Sequence, residues 1–182
     1  MPLFQTNVLL APYTNYKIGG PAKYFCEPKN VEELVAAITE ARQLNESFFI
    51  LGGGFNLLVS DQGFNGVVIR PAIRWMDLDS ENSVTVGSGV LVSEFLDFCI
   101  SNSLSGWEWA GGLPSTMGGA IWGNAGAFGG EIKDVVDEVI SFDYSHNPTT
   151  SIVRNNNECE FGYRSSVFKK RKGKEIILHI RF

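Results

Sequence analysis

Apolar and polar positions in this chain switch between helical and strand periods in two successive blocks. Val31, Leu34, Val35, Ile38 and Ala41 recur at helical spacing, with Glu32, Glu33, Glu40 and Arg42 mostly elsewhere on the wheel. Asn30 is a good N-cap, and Glu33 stands three residues on, as in a capping box. The helix should end near Asn45. Ahead of it the chain reads as loop up to Asn15, turns at Gly19-Gly20-Pro21, and forms a strand over Lys23–Glu27 closed by Pro28. After it, Phe48–Leu51 is fully apolar and is expected to be buried on both faces. Gly66–Ile69 reads as another buried strand, closed by Pro71. The result is a β-α-β-β unit over residues 20 to 71.

A second unit follows. Arg74–Asp79 and Ser83–Gly87 read as a strand pair with a turn at Ser80-Glu81-Asn82. Val92, Phe95, Leu96 and Cys99 give one apolar face to a helix ending before Gly106. Val135–Tyr144 alternates loosely, Ser145-His146-Asn147-Pro148 is a turn, and Thr150–Val153 is the returning strand. Glu158–Phe168 is irregular, Lys169–Lys174 is a basic turn, and Glu175–Phe182 is a final strand. The domains expected are 1–71 and 72–182.

Two glycine segments interrupt these patterns. Gly52-Gly53-Gly54-Phe55-Asn56-Leu57-Leu58 follows a strand directly, so its N–H groups could cradle a pyrophosphate. The third glycine of a dinucleotide fingerprint is replaced by Leu57, and no Gly-Lys-Ser/Thr follows, so a plain tight turn is an equal reading. Gly111–Glu131 holds eight of the 20 glycines together with Leu113, Met117, Ile121, Trp122 and Phe128. A linker would lack such large apolar residues. Ser115-Thr116 reads as a helix start, and Gly118, Gly119 and Ala120 would let a ligand or a neighbouring strand lie against that helix. Asn124 is the polar group best placed to bond a ligand. Arg164, in Phe-Gly-Tyr-Arg-Ser-Ser, is either a planar anchor for a carboxylate or a surface ion-pairing residue.

Composition removes several classes of function. Hydrophobic content of 44% and charge of 19% are those of a globular chain, and the net charge of −5 gives no support to a nucleic-acid partner. Cys26, Cys99 and Cys159 are far apart and suit reduced thiols. With two histidines in all, His146 and His179, there is no His-rich set for a metal site, and no metal is expected. The N-terminus lacks a basic leader, and no apolar run approaches the roughly 18 residues that span a bilayer. A cytoplasmic protein with no membrane partner is expected.

Four motifs, in order, resemble those of the UDP-N-acetylenolpyruvoylglucosamine reductase (UDP-N-acetylmuramate dehydrogenase) family. Asn15–Ala22 resembles its Thr-x-x-Ile-Gly-Gly-Pro-Ala stretch. Gly52–Leu58 resembles Gly-Gly-Gly-Ser-Asn-Leu-Leu. Gly111–Gly130 resembles Gly-Ile-Pro-Gly-Thr-Val-Gly-Gly-Ala…Asn-Ala-Gly-Ala-Tyr-Gly. Glu158–Phe168 resembles Cys-x-Phe-Gly-Tyr-Arg-x-Ser-x-Phe. The resemblance implies an α+β fold, a two-subdomain FAD-binding module of the vanillyl-alcohol-oxidase type with FAD between the subdomains. It carries FAD contacts onto Gly52, Gly53, Gly54, Asn56 and Leu57 for the pyrophosphate. For the rest of the cofactor it carries them onto Pro114, Thr116, Gly118, Gly119, Asn124, Ala125 and Gly126. Phe55 and Ser115 belong to the same loops but depart from the family's Ser and Gly, and Phe128 stands where the family has Tyr.

The same resemblance implies a reaction in which hydride passes from NADPH to the flavin and then to the enolpyruvyl ether of a nucleotide sugar, giving UDP-N-acetylmuramate for peptidoglycan. Arg164 matches the catalytic guanidinium that holds the substrate carboxylate, and Tyr163 helps shape the substrate pocket. The family's C-terminal substrate-binding domain, with its proton-donating serine and its glutamate, has no counterpart here. The 182 residues are expected to be the flavin-binding part, inactive alone, with self-association possible through the face that domain would cover. Two other readings stay open: another FAD-linked oxidoreductase of this fold, or a non-catalytic flavin-binding or interaction module.

Overall fold

The computed structural model describes residues 3–80, 82–145, 150–171 and 174–182. The chain divides into two compact units, Met1–Ile73 and Arg74–Phe182. Parts of three expected turns, at Glu81, residues 146–149 and residues 172–173, lie outside the described residues, and His146 with them.

The first unit is a four-stranded sheet in the order β1-β2-β4-β3. Its elements are β1 (Gln5–Leu9), β2 (Pro21–Cys26), α1 (Val31–Gln43), β3 (Phe48–Ile50) and β4 (Phe64–Ile69). β1 runs antiparallel to β2, while β2 and β3 both run parallel to β4. Helix α1 buries Leu34, Ala37, Ile38 and Ala41, close to the predicted stripe. Asn30 caps it, accepting from the Glu33 N–H at 2.8 Å, a contact worth about 1 kcal/mol. Glu33 reaches back to the N–H of Lys29 at 2.7 Å, one residue before the capping-box position. Asn45, at φ 52°, ends the helix in the left-handed region that Asn tolerates.

Two expectations fail in this unit. The residues before Asn15 are not all loop: Gln5–Leu9 is an edge strand paired with β2. It buries no apolar face, so periodicity had nothing to register. Phe48–Leu51 is not buried on both faces: β3 is an edge strand, and Phe49 is 40% exposed. Only Leu51 of that stretch is buried, in a core cluster with Leu10, Ala22, Phe25 and Val68.

The second unit is a five-stranded sheet in the order β10-β9-β11-β6-β5. The strands are β5 (Met76–Leu78), β6 (Val84–Gly87), β9 (Glu138–Asp143), β10 (Thr150–Asn155) and β11 (Glu175–Arg181), and each neighbouring pair is antiparallel. Between β6 and β9 come α2 (Val92–Ser101), α3 (Met117–Gly123) and a two-stranded hairpin, β7 (Gly126–Ala127) with β8 (Gly130–Glu131). A short helix, α4 (Val167–Lys170), spans the end of the stretch read as irregular and the start of the one read as a basic turn. Phe95, Trp107, Met117, Ile121, Ile132, Phe168 and Ile180 fill the core. The basic run is largely spoken for. Lys170 pairs with Glu160 at 2.9 Å, and Arg171 pairs with Asp143 and with Glu175. Glu175, 2% exposed, also takes Arg154 at 2.7 Å and the Ser141 hydroxyl at 2.8 Å. No helix among the described residues is long and apolar enough to cross a membrane.

Candidate functional site

The first glycine loop leaves β3 at Leu51 and is pinned by the motif before β2. The Asn15 N–H donates to the Gly54 carbonyl at 3.0 Å, and the Thr14 hydroxyl donates to the Ile18 carbonyl at 2.9 Å. Gly54 has φ +68°, and a Cβ there would stand 2.0 Å from the Tyr13 carbonyl oxygen, so only glycine fits. The main-chain N–H groups of Gly52, Gly53, Gly54, Phe55 and Asn56 find no acceptor among the described residues. Gly54 is buried, Gly52, Gly53 and Phe55 are half-buried, and Asn56 is exposed. Consecutive free amides on a strand-following loop form an anion-binding concavity. Such donors would suit a phosphate group such as the pyrophosphate of FAD. Phe55 has no positive φ and its side chain is half-buried, so the bulkier residue sits there without backbone strain.

The second glycine segment is built differently. Thr116 caps α3, accepting from the Gly119 N–H at 3.3 Å. The Met117 N–H donates to Val90 and the Gly118 N–H to Ser88, at 2.8 and 2.9 Å. The first turn of α3 is thus consumed within the chain and offers no free anion site. A Cβ on Gly118 would come 2.9 Å from Ser88 Cβ, so the close approach that this glycine permits is to the β6–α2 connection. Ser115 lies outside the left-handed region, so replacing glycine there costs no backbone strain. Pro114 is exposed, and Ser115 and Ala125 are half-buried. Ser88 Oγ is buried with no hydrogen-bond partner, an orphan polar atom beside α3 that a ligand could satisfy.

Asn124 takes a part that sequence reasoning did not foresee. It is 1% exposed and, at φ 44°, forms the left-handed C-cap of α3. Its amide donates to Glu131 Oε2 at 2.8 Å and to the Gly162 carbonyl at 3.0 Å, and its oxygen accepts from the Lys133 N–H at 3.0 Å. The side chain expected to bond a ligand is fully engaged inside the chain. It ties the β7–β8 hairpin to the turn that carries Arg164.

That turn runs from Gly162 to Ser165, which exchange both backbone hydrogen bonds at 3.0 Å. Arg164 sits at φ 51°, in a turn position normally left to glycine or asparagine. Such a conformation costs about 1–2 kcal/mol and must be held by its surroundings. The surroundings are Asn124 on Gly162, the Lys169 ammonium on the Arg164 carbonyl at 2.9 Å, and the Ser166 hydroxyl on Trp122 at 2.8 Å. The guanidinium is exposed, lies 5.9 Å from the Tyr163 ring centre, and among the described residues hydrogen-bonds only the Gly126 carbonyl, at 3.4 Å. It forms no ion pair with any described residue. The surface ion-pair reading of Arg164 therefore finds no partner.

Arg164 and Tyr163 line a cavity of about 200 Å³ with Asn124, Gly126, Phe128 and Glu131. Phe128 and Gly129, at φ 49° and 88°, make the two-residue loop of the β7–β8 hairpin, and Phe128 is 91% exposed. Glu131 was not singled out from the sequence. Hydrogen bonds from Lys133 and Asn124, and then the charges of Lys133 and Arg164, hold its carboxyl below the usual range. A turn signal at Phe128-Gly129 would have placed it across a hairpin from Gly126. His179 is half-buried on β11, where burial lowers its pKa, and its ring packs tilted against Trp75, with centroids 5.5 Å apart. Among the described residues no group of three metal-binding side chains assembles.

Residues 22–153 match the FAD binding domain family. The UDP-N-acetylenolpyruvoylglucosamine reductase of Solibacter usitatus is 39% identical over 163 residues, covering 90% of this chain and 51% of that protein. The crystal structure of the corresponding reductase from Thermus caldophilus superposes with a TM-score of 0.80 at 32% identity, covering 97% of this chain and 61% of that one. A solvent-stable cholesterol oxidase, 15% identical, shares the fold with a TM-score of 0.72 over 99% of this chain and 36% of that one. The expected α+β flavin-binding fold of the vanillyl-alcohol-oxidase type is borne out by these neighbours. The chain spans about half the length of the curated relatives it matches. It belongs to the FAD binding domain family, and within it resembles the UDP-N-acetylenolpyruvoylglucosamine reductases over nine-tenths of its length.

Proposed function

We propose that this chain binds FAD and serves the NADPH-dependent reduction of UDP-N-acetylglucosamine enolpyruvate to UDP-N-acetylmuramate, a step of peptidoglycan precursor synthesis. Bound FAD supplies hydride transfer from NADPH to the terminal carbon of the enolpyruvyl group. The free amides of residues 52–56 hold its pyrophosphate, and the segment from Pro114 to Gly126 contacts the rest of the cofactor. Arg164 binds the substrate carboxylate. As hydride reaches the terminal carbon, negative charge grows on the neighbouring carbon and spreads into that carboxylate. A fixed guanidinium stabilises this charge more than it stabilises the ground state. Tyr163 forms part of the substrate wall. The three buried free thiols suit a cytoplasmic setting.

The observation that carries this reading is the unpaired guanidinium of Arg164, held in a left-handed turn on a cavity wall. The relatives extend to about twice this length. The 182 residues are therefore proposed to be the flavin-binding part, with NADPH-driven turnover by them alone well below that of a full-length relative. The test is a titration of the purified chain with FAD, followed by UDP-N-acetylglucosamine with and without its enolpyruvyl group. Flavin uptake and a preference for the enolpyruvyl form, lost in Arg164→Met, are expected. The carboxylate contact is worth about 1.5–3 kcal/mol, so that preference should shrink by about 10- to 100-fold. A colourless protein that takes up no FAD would leave only an interaction module.

A further inference from the structure

The basic run that begins at Lys169 does more than turn the chain. The stretch ahead of it holds two residues in the left-handed region, Glu160 at φ 47° and Arg164 at φ 51°. Each has its carbonyl taken by a lysine of α4. Lys169 Nζ donates to the Arg164 carbonyl at 2.9 Å. Lys170 Nζ donates to the Glu160 carbonyl at 3.3 Å and to the Glu160 carboxylate at 2.9 Å. The two lysines are consecutive in one helical turn, so the seat of α4 decides where both ammonium groups reach. That seat is made by Ser166 together with the buried side chains of Val167 and Phe168. Ser166 is fully buried. Its hydroxyl donates to the Trp122 carbonyl of α3 at 2.8 Å and accepts from the Lys169 N–H at 3.4 Å, which caps α4. Asn124, the C-cap of α3, holds the Gly162 carbonyl at 3.0 Å. The Arg164 turn is thus gripped at its entry by Asn124 and at its exit by Ser166, both against the C-terminal end of α3.

We infer that Ser166 is a positioning residue for Arg164: it seats α4 on α3 so that the turn stays left-handed and the guanidinium stays on the cavity wall. The inference rests on the substrate role proposed for Arg164. Without a brace, an arginine favours the right-handed region about 5- to 30-fold. A turn free to relax presents its guanidinium to a carboxylate only part of the time, and the apparent affinity falls by that fraction. Ser166 does not line the cavity, so it acts through the backbone and through Lys169. A serine that only filled core space would cost stability when truncated and leave Arg164 where it is.

The experiment reads the Arg164 backbone by NMR in the 182-residue chain, without cofactor or substrate. A positive φ brings the amide and α protons of one residue close together, so wild-type Arg164 should show a strong intraresidue NOE between them. In Ser166→Ala that NOE should weaken to the level of residues at negative φ. The same NOE of Asn124, at φ 44°, should persist and serves as the internal standard. Lys169→Met leaves the buried serine in place and removes only an exposed contact, and it should weaken the Arg164 NOE in part. With FAD bound, the preference for the enolpyruvyl nucleotide sugar over UDP-N-acetylglucosamine should shrink about 5- to 30-fold in Ser166→Ala. In Lys169→Met it should shrink about two- to fivefold. A folded Ser166→Ala that keeps the Arg164 NOE, or that keeps the full preference, overturns the inference. So does loss of the Asn124 NOE along with that of Arg164, which would mean general loosening. If Ser166→Ala does not fold, an undiminished Arg164 NOE in Lys169→Met overturns it instead. If the wild type binds neither FAD nor the nucleotide sugar, the proposed function falls. The NMR readout needs neither ligand and still decides whether Ser166 holds Arg164.

Discussion

Gly54 and Gly112 offer a controlled pair for the cost of a side chain in the left-handed region. Gly54 has φ +68° and Gly112 φ +79°, so the backbone penalty for alanine is alike, about 1–2 kcal/mol. Alanine recovers about 0.4–1 kcal/mol by stiffening the unfolded chain. Gly112→Ala has nothing within 4 Å of its Cβ, and a net loss of about 1 kcal/mol is expected. Gly54→Ala sets its Cβ 2.0 Å from the Tyr13 carbonyl oxygen and 3.1 Å from Thr14 Cα, both backbone atoms that cannot rotate away. Overpacking adds about 1–3 kcal/mol. Displacing the loop also endangers the Asn15 to Gly54 hydrogen bond, worth about 1 kcal/mol. Gly54→Ala should therefore cost about 3–5 kcal/mol in all. Urea unfolding should be followed by far-UV circular dichroism, because all four tryptophans lie in Arg74–Phe182 and fluorescence would report that unit alone. FAD affinity should fall at least tenfold in Gly54→Ala, because the free amides move with the loop. Two variants within about 0.5 kcal/mol of each other would refute the steric argument. Unchanged FAD affinity in a folded Gly54→Ala would remove the loop from the cofactor site.

Other outcomes follow from the same structure. Asn124→Ala removes the side-chain contacts to Glu131, Gly162 and Lys133 and puts alanine at φ 44°, and should cost about 2–4 kcal/mol, measured by urea midpoint; a loss below about 1 kcal/mol would contradict its bridging role. Arg154→Met removes the 2.7 Å partner of buried Glu175 and should cost about 3–5 kcal/mol, although Arg171 stays beside that carboxylate; a neutral result in the melting curve would show Arg171 to be sufficient. Burial raises the thiols of Cys26 and Cys159 to about 12 and that of Cys99 to about 11. At pH 8 they should resist iodoacetamide until urea is added, as read by mass spectrometry. Above the ordinary thiol pKa near 9 the unfolded chain loses these protons and the folded chain keeps them, so stability should decline from there toward pH 11–12. A flat alkaline stability profile would contradict the burial.

Elements with an apolar face were legible in the sequence. The helix that buries Leu34, Ile38 and Ala41 and the strand that buries Val67, Val68 and Ile69 both follow from spacing. Gln5–Leu9 was not legible, because what makes it a strand is pairing with β2, and its side chains are mostly exposed. Phe49 misled for the complementary reason: the apolar run Phe48–Leu51 says nothing of whether a neighbour lies on its far edge. At the site, Gly54 and Arg164 could be named from motifs, and the structure adds the backbone conformation that explains each. Glu131 could not be named, because its meaning depends on facing Gly126 across a hairpin and on an asparagine that holds two segments together. Such three-way contacts leave no period in a sequence.

The order of strands in the second sheet bears on how the protein is made. β11, residues Glu175–Arg181, is not an edge but the centre, pairing with β9 on one side and β6 on the other. The strands that flank it have no reason to close on one another until it arrives. During synthesis Met1–Ile73 can settle early, since every strand of its sheet is already translated. Arg74–Phe182 must wait, with β6 and β9 each showing an unpaired edge, until Glu175–Arg181 has cleared the ribosome. A ribosome paused before that point would expose a nascent chain with one finished unit and one open sheet, the state a chaperone would be expected to hold.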